Sequence, residues 1–173
     1  SRDDVAKYDN YVMDPTALTE MVDRVFDDRY RIESLVGVGH ISAVFSAFDQ
    51  AEDRSVALKV FDAGLAGDEG FVERLLEAAE LASVLNHPNI VEIYDWGVDG
   101  GPYIVSELCE GGSLAALLEE GNRLATSQAL VVTLACARAM NYGHEQGAIH
   151  GNLTPRNLLF TSDQQVRISD YGL

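Results

Sequence analysis

Basic residues are scarce in this chain: only 12 Lys and Arg face 28 Asp and Glu, a formal net charge of −16. Such a field repels phosphate backbones and anionic lipid heads, which argues against nucleic acid as a partner. Cysteine is nearly absent. Cys109 and Cys136 stand in unrelated contexts, which excludes a disulfide framework and suits a reducing cytosol. No run of about 18 apolar residues occurs, so no segment is expected to span a bilayer. No basic stretch precedes an apolar one in the manner of a signal peptide. His144, Glu145 and His150 fit no standard zinc spacing.

Apolar residues nevertheless fill 47% of 173 positions, enough for one medium domain or two small lobes with a core. Residues 1–14 are polar and aperiodic and read as a tail. A cap at Asp14 or Thr16 then precedes Leu18, Met21, Val22 and Val25, the spacing of a short amphipathic helix. "YRIESLV", "SAVFSAFD" and "SVALKVF" predict three consecutive antiparallel strands joined by turn-rich "GVGH" and "QAEDR". Over 69–85, Phe71, Leu75, Ala78, Ala82 and Leu85 recur at helical spacing and predict one buried face. Pro88 ends that helix. "IVEIYDWGV" and "PYIVSEL" predict two more strands around "DGG". Helices are predicted over 113–119 and 126–146, the second with Leu130, Leu134, Ala137 and Met140 inward. "NLLF" and "VRIS" predict two short closing strands. The class is α+β, a β-rich part followed by a helical one.

Taken singly, the polar signals are weak. Gly37-x-Gly39 between strands is a turn as readily as a phosphate loop. Lys59 on a strand is most often a solvated lysine. Asn157 and Asp170 are oxygen donors suited to Mg²⁺, yet each is equally at home in a turn. Together they carry information. Gly37-x-Gly39, Val44, Ala57-x-Lys59, His87-Pro88, His150, Pro155, Asn157 and Asp170-Tyr171-Gly172 follow the order of the protein-kinase signature.

From about residue 28 to its end the chain resembles a bacterial eukaryotic-type Ser/Thr kinase domain. The resemblance implies a two-lobed kinase-like fold with ATP between the lobes. Residues 1–27 would be a tail and short helix, 28–108 the N-lobe, and 109–173 the hinge and first part of a helical C-lobe. It implies that Gly37, Gly39, Val44, Ala57, Lys59, Glu107, Cys109 and Leu159 surround a nucleotide, with Ser106 as gatekeeper. Asn157 and Asp170 would be the Mg²⁺ ligands.

Four positions depart from that pattern, besides the milder change of Ser42 for the third loop glycine. Asn152 stands where active kinases carry the Asp that accepts or orients the substrate proton. Thr154 replaces the loop Lys that reaches the γ-phosphate, and Gly151 the Arg that answers a phosphorylated activation loop. Ala78 falls where the Lys-pairing Glu belongs. The Lys59 ion pair is therefore absent, or made by Glu77 after a one-residue shift. The degenerate "HGN" is similar to pseudokinases of the Janus-kinase type. More narrowly, "HGNLTPRN", "DYGL" and the acidic balance resemble the cytoplasmic pseudokinase domain attached to actinobacterial MviN-type proteins, the lipid II flippase family.

That likeness implies a role in controlling peptidoglycan synthesis and a place at the cytoplasmic face of the plasma membrane, within a larger membrane protein. It implies phosphorylation by an active Ser/Thr kinase and docking of a phosphothreonine-reading forkhead-associated (FHA) domain. The expectation is a catalytically inactive, phosphorylation-dependent scaffold, not an enzyme. It would require no cofactor, bind ATP weakly or not at all, and hold Mg²⁺ doubtfully. A nucleotide-sensing switch and a weak atypical Ser/Thr kinase are the competing readings.

Overall fold

The computed structural model describes residue 13, residues 15–119 and residues 121–172. Of the tail expected over 1–14, residues 1–12 and 14 lie outside them, and with Asp14 one of the two expected caps. Two compact units emerge. The first runs to Leu76 and resumes over Tyr94–Ser106; the second comprises Glu77–Ile93 and Glu107–Leu173. Among the described residues no helix is long and apolar enough to cross a membrane.

The first unit is built on a six-stranded sheet in the order β1-β2-β3-β4-β6-β5. Its strands are β1 (Val25–Phe26), β2 (Tyr30–Val38), β3 (Ser42–Asp49), β4 (Arg54–Phe61), β5 (Ile93–Val98) and β6 (Pro102–Ser106). Period-two patterning decides which side is covered. Ala43, Phe45 and Ala47 on β3 and Val56, Leu58 and Val60 on β4 turn to one face and join Tyr30, Ile32, Tyr103 and Val105 in a core. The short helix α1 (Pro15–Thr19) lays Leu18 on that core, and Met13 is buried there too.

The amphipathic helix predicted onward to Val25 stops at Thr19. Asp23 takes φ +68°, outside helical space, and Val25 is exposed on the edge strand β1. Between β4 and the next helix, Asp62 caps a 3-10 turn (Ala63–Gly67) by accepting the Gly64 N–H at 2.8 Å.

Helix α2 (Glu69–Ser83) confirms the periodic segment but corrects its face. Leu75, Ala79 and Ala82 are buried, whereas Ala78 is only half-buried and Glu77 is exposed. Leu75, Ala82 and, beyond the helix, Leu85 keep their predicted burial, while Ala79, about 100° round the helix from Ala78, takes that residue's place in the inward stripe.

The second unit contains α3 (Leu114–Glu119), α4 (Thr126–Glu145) and the hairpin β7 (Leu158–Phe160) and β8 (Val166–Ile168). Gly147, at φ +78°, ends α4 by returning its N–H to the His144 carbonyl at 3.0 Å. The inward face of α4 differs from the expected one. Val132, Ala135, Ala139 and Gly143 are buried, while Leu130 and Leu134 are 65% and 50% exposed. Small residues face inward because Tyr171 lies against them. Its hydroxyl donates to the Ala139 carbonyl at 2.9 Å, and a Cβ on Gly143 would meet its ring at 2.8 Å.

Candidate functional site

In the first unit the strand register gathers the residues expected to meet a nucleotide. Gly37 pairs with Val44, Val44 with Lys59, and Lys59 with Ile104, forming one row across four strands. Ala57 pairs with Ser46 and Ser106 in the adjoining row. Alternation along the strands puts Val44, Ala57 and Lys59 on the half-exposed face, opposite the core. The Lys59 ammonium lies 5.5 Å from the centroid of the Phe61 ring.

The two glycines differ. Gly39 closes the hairpin by donating its N–H to the Ser42 carbonyl at 2.7 Å, and a Cβ there would press that oxygen at 3.2 Å. Gly37 has nothing within 4 Å of a Cβ and no positive φ. No intramolecular contact calls for glycine at that position, so its bare backbone suits the approach of something external.

In the second unit the loop after α4 is held by its own backbone. His150 is 1% exposed; its Nδ1 accepts the Asn152 N–H at 3.3 Å, which makes Nε2 the donor to the Ser169 carbonyl at 2.9 Å. Its ring lies 4.8 Å from that of Tyr171. Gly151 sits at φ +77°, where an Arg would be strained. The Asn152 side chain is exposed. Thr154, half-buried, precedes a 3-10 turn over Pro155–Asn157. Asn157 is buried and its amide nitrogen donates to the Asn152 carbonyl at 2.8 Å.

With its nitrogen engaged there, Asn157 has its amide oxygen as the remaining hard donor of the side chain. The Ser169 N–H reaches the Asn157 carbonyl at 3.0 Å, which brings Asp170, the next residue, to the same end of the hairpin. One amide oxygen and one carboxylate fit Mg²⁺, which keeps several waters and shares its shell with phosphates. Among the described residues no cluster of three or more His, Cys, Asp and Glu could hold a metal by itself. Ala78 meets this end of the unit as well, its Cβ 3.6 Å from where one would stand on Gly172. Leu159 is half-buried on β7.

Glu107 and Cys109 open the second unit's longer part. The Glu107 N–H is donated to the Glu92 carbonyl at 2.9 Å, so a bond from this residue to a base would come from its carbonyl. Burial, with Glu107 adding, pushes the Cys109 thiol up to about 12 against the opposing charge of Arg167. Iodoacetamide near neutral pH should accordingly modify it far more slowly than free cysteine.

Three contributors were not singled out in the sequence. Gly143 inside a long helix carries a propensity cost of about 1 kcal/mol, a visible sign of close packing. Asn89 donates its side-chain amide to the Val166 carbonyl at 2.9 Å. Arg167, a lone basic residue in an apolar strand, holds Glu107 with Nε 3.0 Å from each carboxylate oxygen.

His87 supplies a pH test. Its Nδ1 accepts the Asn89 N–H at 3.0 Å and its ring lies 5.3 Å from that of Tyr142. Burial, then Arg138 and Arg167, lowers its pKa below the ordinary imidazole value. The unfolded chain therefore takes up the proton first as pH falls. This contribution is complete above the unfolded pKa and is lost on acidification through the folded one. Urea unfolding at about pH 7.5 and about pH 5 should show wild type losing more stability than His87→Asn. Equal losses would refute it.

The sequence of residues 30–173 matches the protein tyrosine and serine/threonine kinase family. A probable serine/threonine-protein kinase of Streptomyces coelicolor is 36% identical over 150 residues, covering 84% of this chain and 22% of the relative. Serine/threonine-protein kinase PknJ of Mycobacterium tuberculosis is 35% identical, covering 83% and 25%. The chain spans about a quarter of the length of these curated relatives. The crystal structure of the Mycobacterium tuberculosis PknI kinase domain is 27% identical with a TM-score of 0.77, covering 87% of this chain and 62% of that one. The expected kinase-like α+β fold is borne out.

The expectation of a catalytically inactive scaffold, not an enzyme, is corrected. These relatives are named as serine/threonine-protein kinases. The physical reason is that phosphoryl transfer proceeds mainly by positioning and charge stabilisation, so an amide at Asn152 is not by itself evidence of inactivity.

Proposed function

The chain belongs to the protein tyrosine and serine/threonine kinase family, and from that premise we propose that it binds ATP with Mg²⁺ and transfers the γ-phosphoryl group slowly to a protein Ser or Thr hydroxyl. The observation that carries this is Asn157: buried, its amide nitrogen bonded to the Asn152 carbonyl, and its backbone carbonyl bonded to the Ser169 N–H, next to Asp170. A residue kept only as a turn former would not need that buried orientation. Gly37, bare without an internal reason, supports the same reading from the first unit. ATP with Mg²⁺ replaces the expectation that no cofactor is required.

In this reading Val44 and Ala57 cover the base, Lys59 binds phosphate oxygens, and the Glu107 carbonyl accepts from the base's exocyclic amine. Asn157 and Asp170 would hold the metal. Mg²⁺, when bound, neutralises charge on the phosphates. The bond from γ-phosphorus to the bridging oxygen breaks as one forms to the substrate oxygen. Asn152 can orient the hydroxyl through its amide oxygen but cannot take the proton, which leaves to a phosphoryl oxygen or to water. Thr154 brings no cation to the developing charge.

Purified protein with radiolabelled ATP, Mg²⁺ and a generic protein substrate should incorporate label, and Lys59→Ala prepared in parallel should not. ATP at about 100 times its dissociation constant should stabilise the fold by roughly 2.7 kcal/mol, only with Mg²⁺ present. Equal incorporation by Lys59→Ala, or no incorporation and no stabilisation, would sink the reading.

A narrower proposal concerns partners and place. "HGNLTPRN" and "DYGL" support kinship with the kinase-like domain of MviN-type proteins, hence the cytoplasmic face of the plasma membrane and peptidoglycan synthesis. An active Ser/Thr kinase would modify this protein. A phosphate on a chain at −16, with only 12 Lys and Arg, finds few internal partners and stays exposed for an FHA domain to read. Pull-down with such a domain before and after phosphorylation should show binding only after it, lost again in Thr→Ala variants of the mapped sites. Equal binding of both forms would rule this out.

A further inference from the structure

We propose that Arg167 is a positioning residue for nucleotide recognition, acting through Glu107; this rests on the ATP-binding reading above. Arg167 lies in β8, three residues before Asp170. Its Nε is 3.0 Å from both Glu107 carboxylate oxygens, and another guanidinium nitrogen donates to the Pro88 carbonyl. The Glu107 backbone is tied to the same neighbourhood, its N–H donated to the Glu92 carbonyl at 2.9 Å.

The segment from Pro88 to Glu92 is in turn fastened to β8. The Val91 N–H meets the Ile168 carbonyl at 2.9 Å, the Ile168 N–H meets the Asn89 carbonyl at 2.9 Å, and Asn89 bonds the Val166 carbonyl. Glu107 is therefore held at both ends, side chain and backbone, by one short segment and one arginine. With its backbone donor engaged by Glu92, Glu107 would meet a base through its carbonyl. An acceptor fixed in this way favours adenine, which presents an amine, over guanine, which presents another acceptor at the same place.

Both ion-pair partners are about one-fifth exposed, which shields the pair from much of the solvent. Two separate guanidinium nitrogens are used, Nε on the Glu107 carboxylate and a terminal nitrogen on the Pro88 carbonyl, whereas Lys brings the charge on one point and loses this planar spacing.

The test uses wild type, Arg167→Gln and Arg167→Lys with two readouts. In hydrogen exchange, Arg167→Gln should lose protection at the Glu107 amide while the core amides of Phe45 and Leu58 stay as in wild type. In nucleotide titration, Arg167→Gln should weaken ATP about tenfold, leave GTP nearly unchanged, and so lower the ATP-to-GTP ratio about tenfold. Arg167→Lys should fall between. A general loss of stability would weaken both nucleotides alike and does not reproduce that pattern. Wild type that binds ATP beside an Arg167→Gln variant with unchanged preference would overturn the positioning role alone. Wild type that binds neither nucleotide would overturn the ATP reading and this role with it.

Discussion

Asn152→Asp should raise phosphoryl transfer by about 10²–10⁴-fold, the usual contribution of a positioned general base. The loop around this residue is ready for the change. Its N–H is held by His150 Nδ1, its carbonyl accepts from Asn157, and His150 is locked to Ser169. Only the exposed side chain differs between amide and carboxylate. The variant should therefore fold as wild type does, with the KM for ATP little changed and the gain falling on kcat. A pH profile adds a second readout. The variant should gain an acid limb as its new carboxylate protonates, which the amide cannot show. Thr154→Lys, combined with it, should add a further increase by bringing a cation to the transferring group. Wild-type rates in the double variant would mean that the loop does not face substrate at all.

The β half of the fold was legible because period two leaves little choice. "SAVFSAFD" and "SVALKVF" turn one set of residues inward, and the observed register follows from that alternation. The helices were legible as helices but not as oriented faces. In α4 the large apolar residues Leu130 and Leu134 look inward by periodicity, yet the structure buries Ala135, Ala139 and Gly143 instead. What decides the orientation is the ring of Tyr171, 32 positions away from the Ala139 carbonyl it bonds. A helical pattern cannot register so distant a neighbour. The same holds for Ala78 and Ala79: one residue of rotation is below the resolution of an apolar stripe.

Among the site residues, Gly37, Lys59, Asn157 and Asp170 could be picked out because their spacing is that of a known signature. Arg167 could not, since it belongs to no motif and its partner Glu107 is 60 positions away. Function was misjudged from two letters in one loop. Asn152 and Thr154 replace a base and a cation of the family pattern, and the sequence alone does not say whether those replacements end activity or only slow it.

Asp49→Ala should cost about 3 kcal/mol of stability near neutral pH, toward the lower end for breaking a buried ion pair because Arg29 is one-third exposed. Asp49 itself has no exposed surface. It accepts from Arg29 Nε at 2.7 Å and from a terminal guanidinium nitrogen at 2.8 Å, with the Ala51 N–H at 3.1 Å. The Arg29 hydrogen bonds, ahead of the opposing effect of burial, hold its carboxyl below the usual aspartate value. With a depressed pKa, this stabilisation is present above the unfolded value and is lost as pH falls through the folded one. The difference between wild type and Asp49→Ala in denaturant unfolding should accordingly be largest near neutrality and shrink in strong acid. Asp95→Asn should cost much less. Asp95 accepts from Arg29 and from Tyr30, but it is 34% exposed and water can replace the pair. The consequence reaches the nucleotide residues, because Asp49 ends β3 opposite Arg54 and fixes the hairpin that sets Val44 against Lys59. Where Asp49→Ala still folds, its affinity for ATP should fall. A variant that unfolds earlier yet binds ATP unchanged would show that the hairpin register does not depend on this carboxylate.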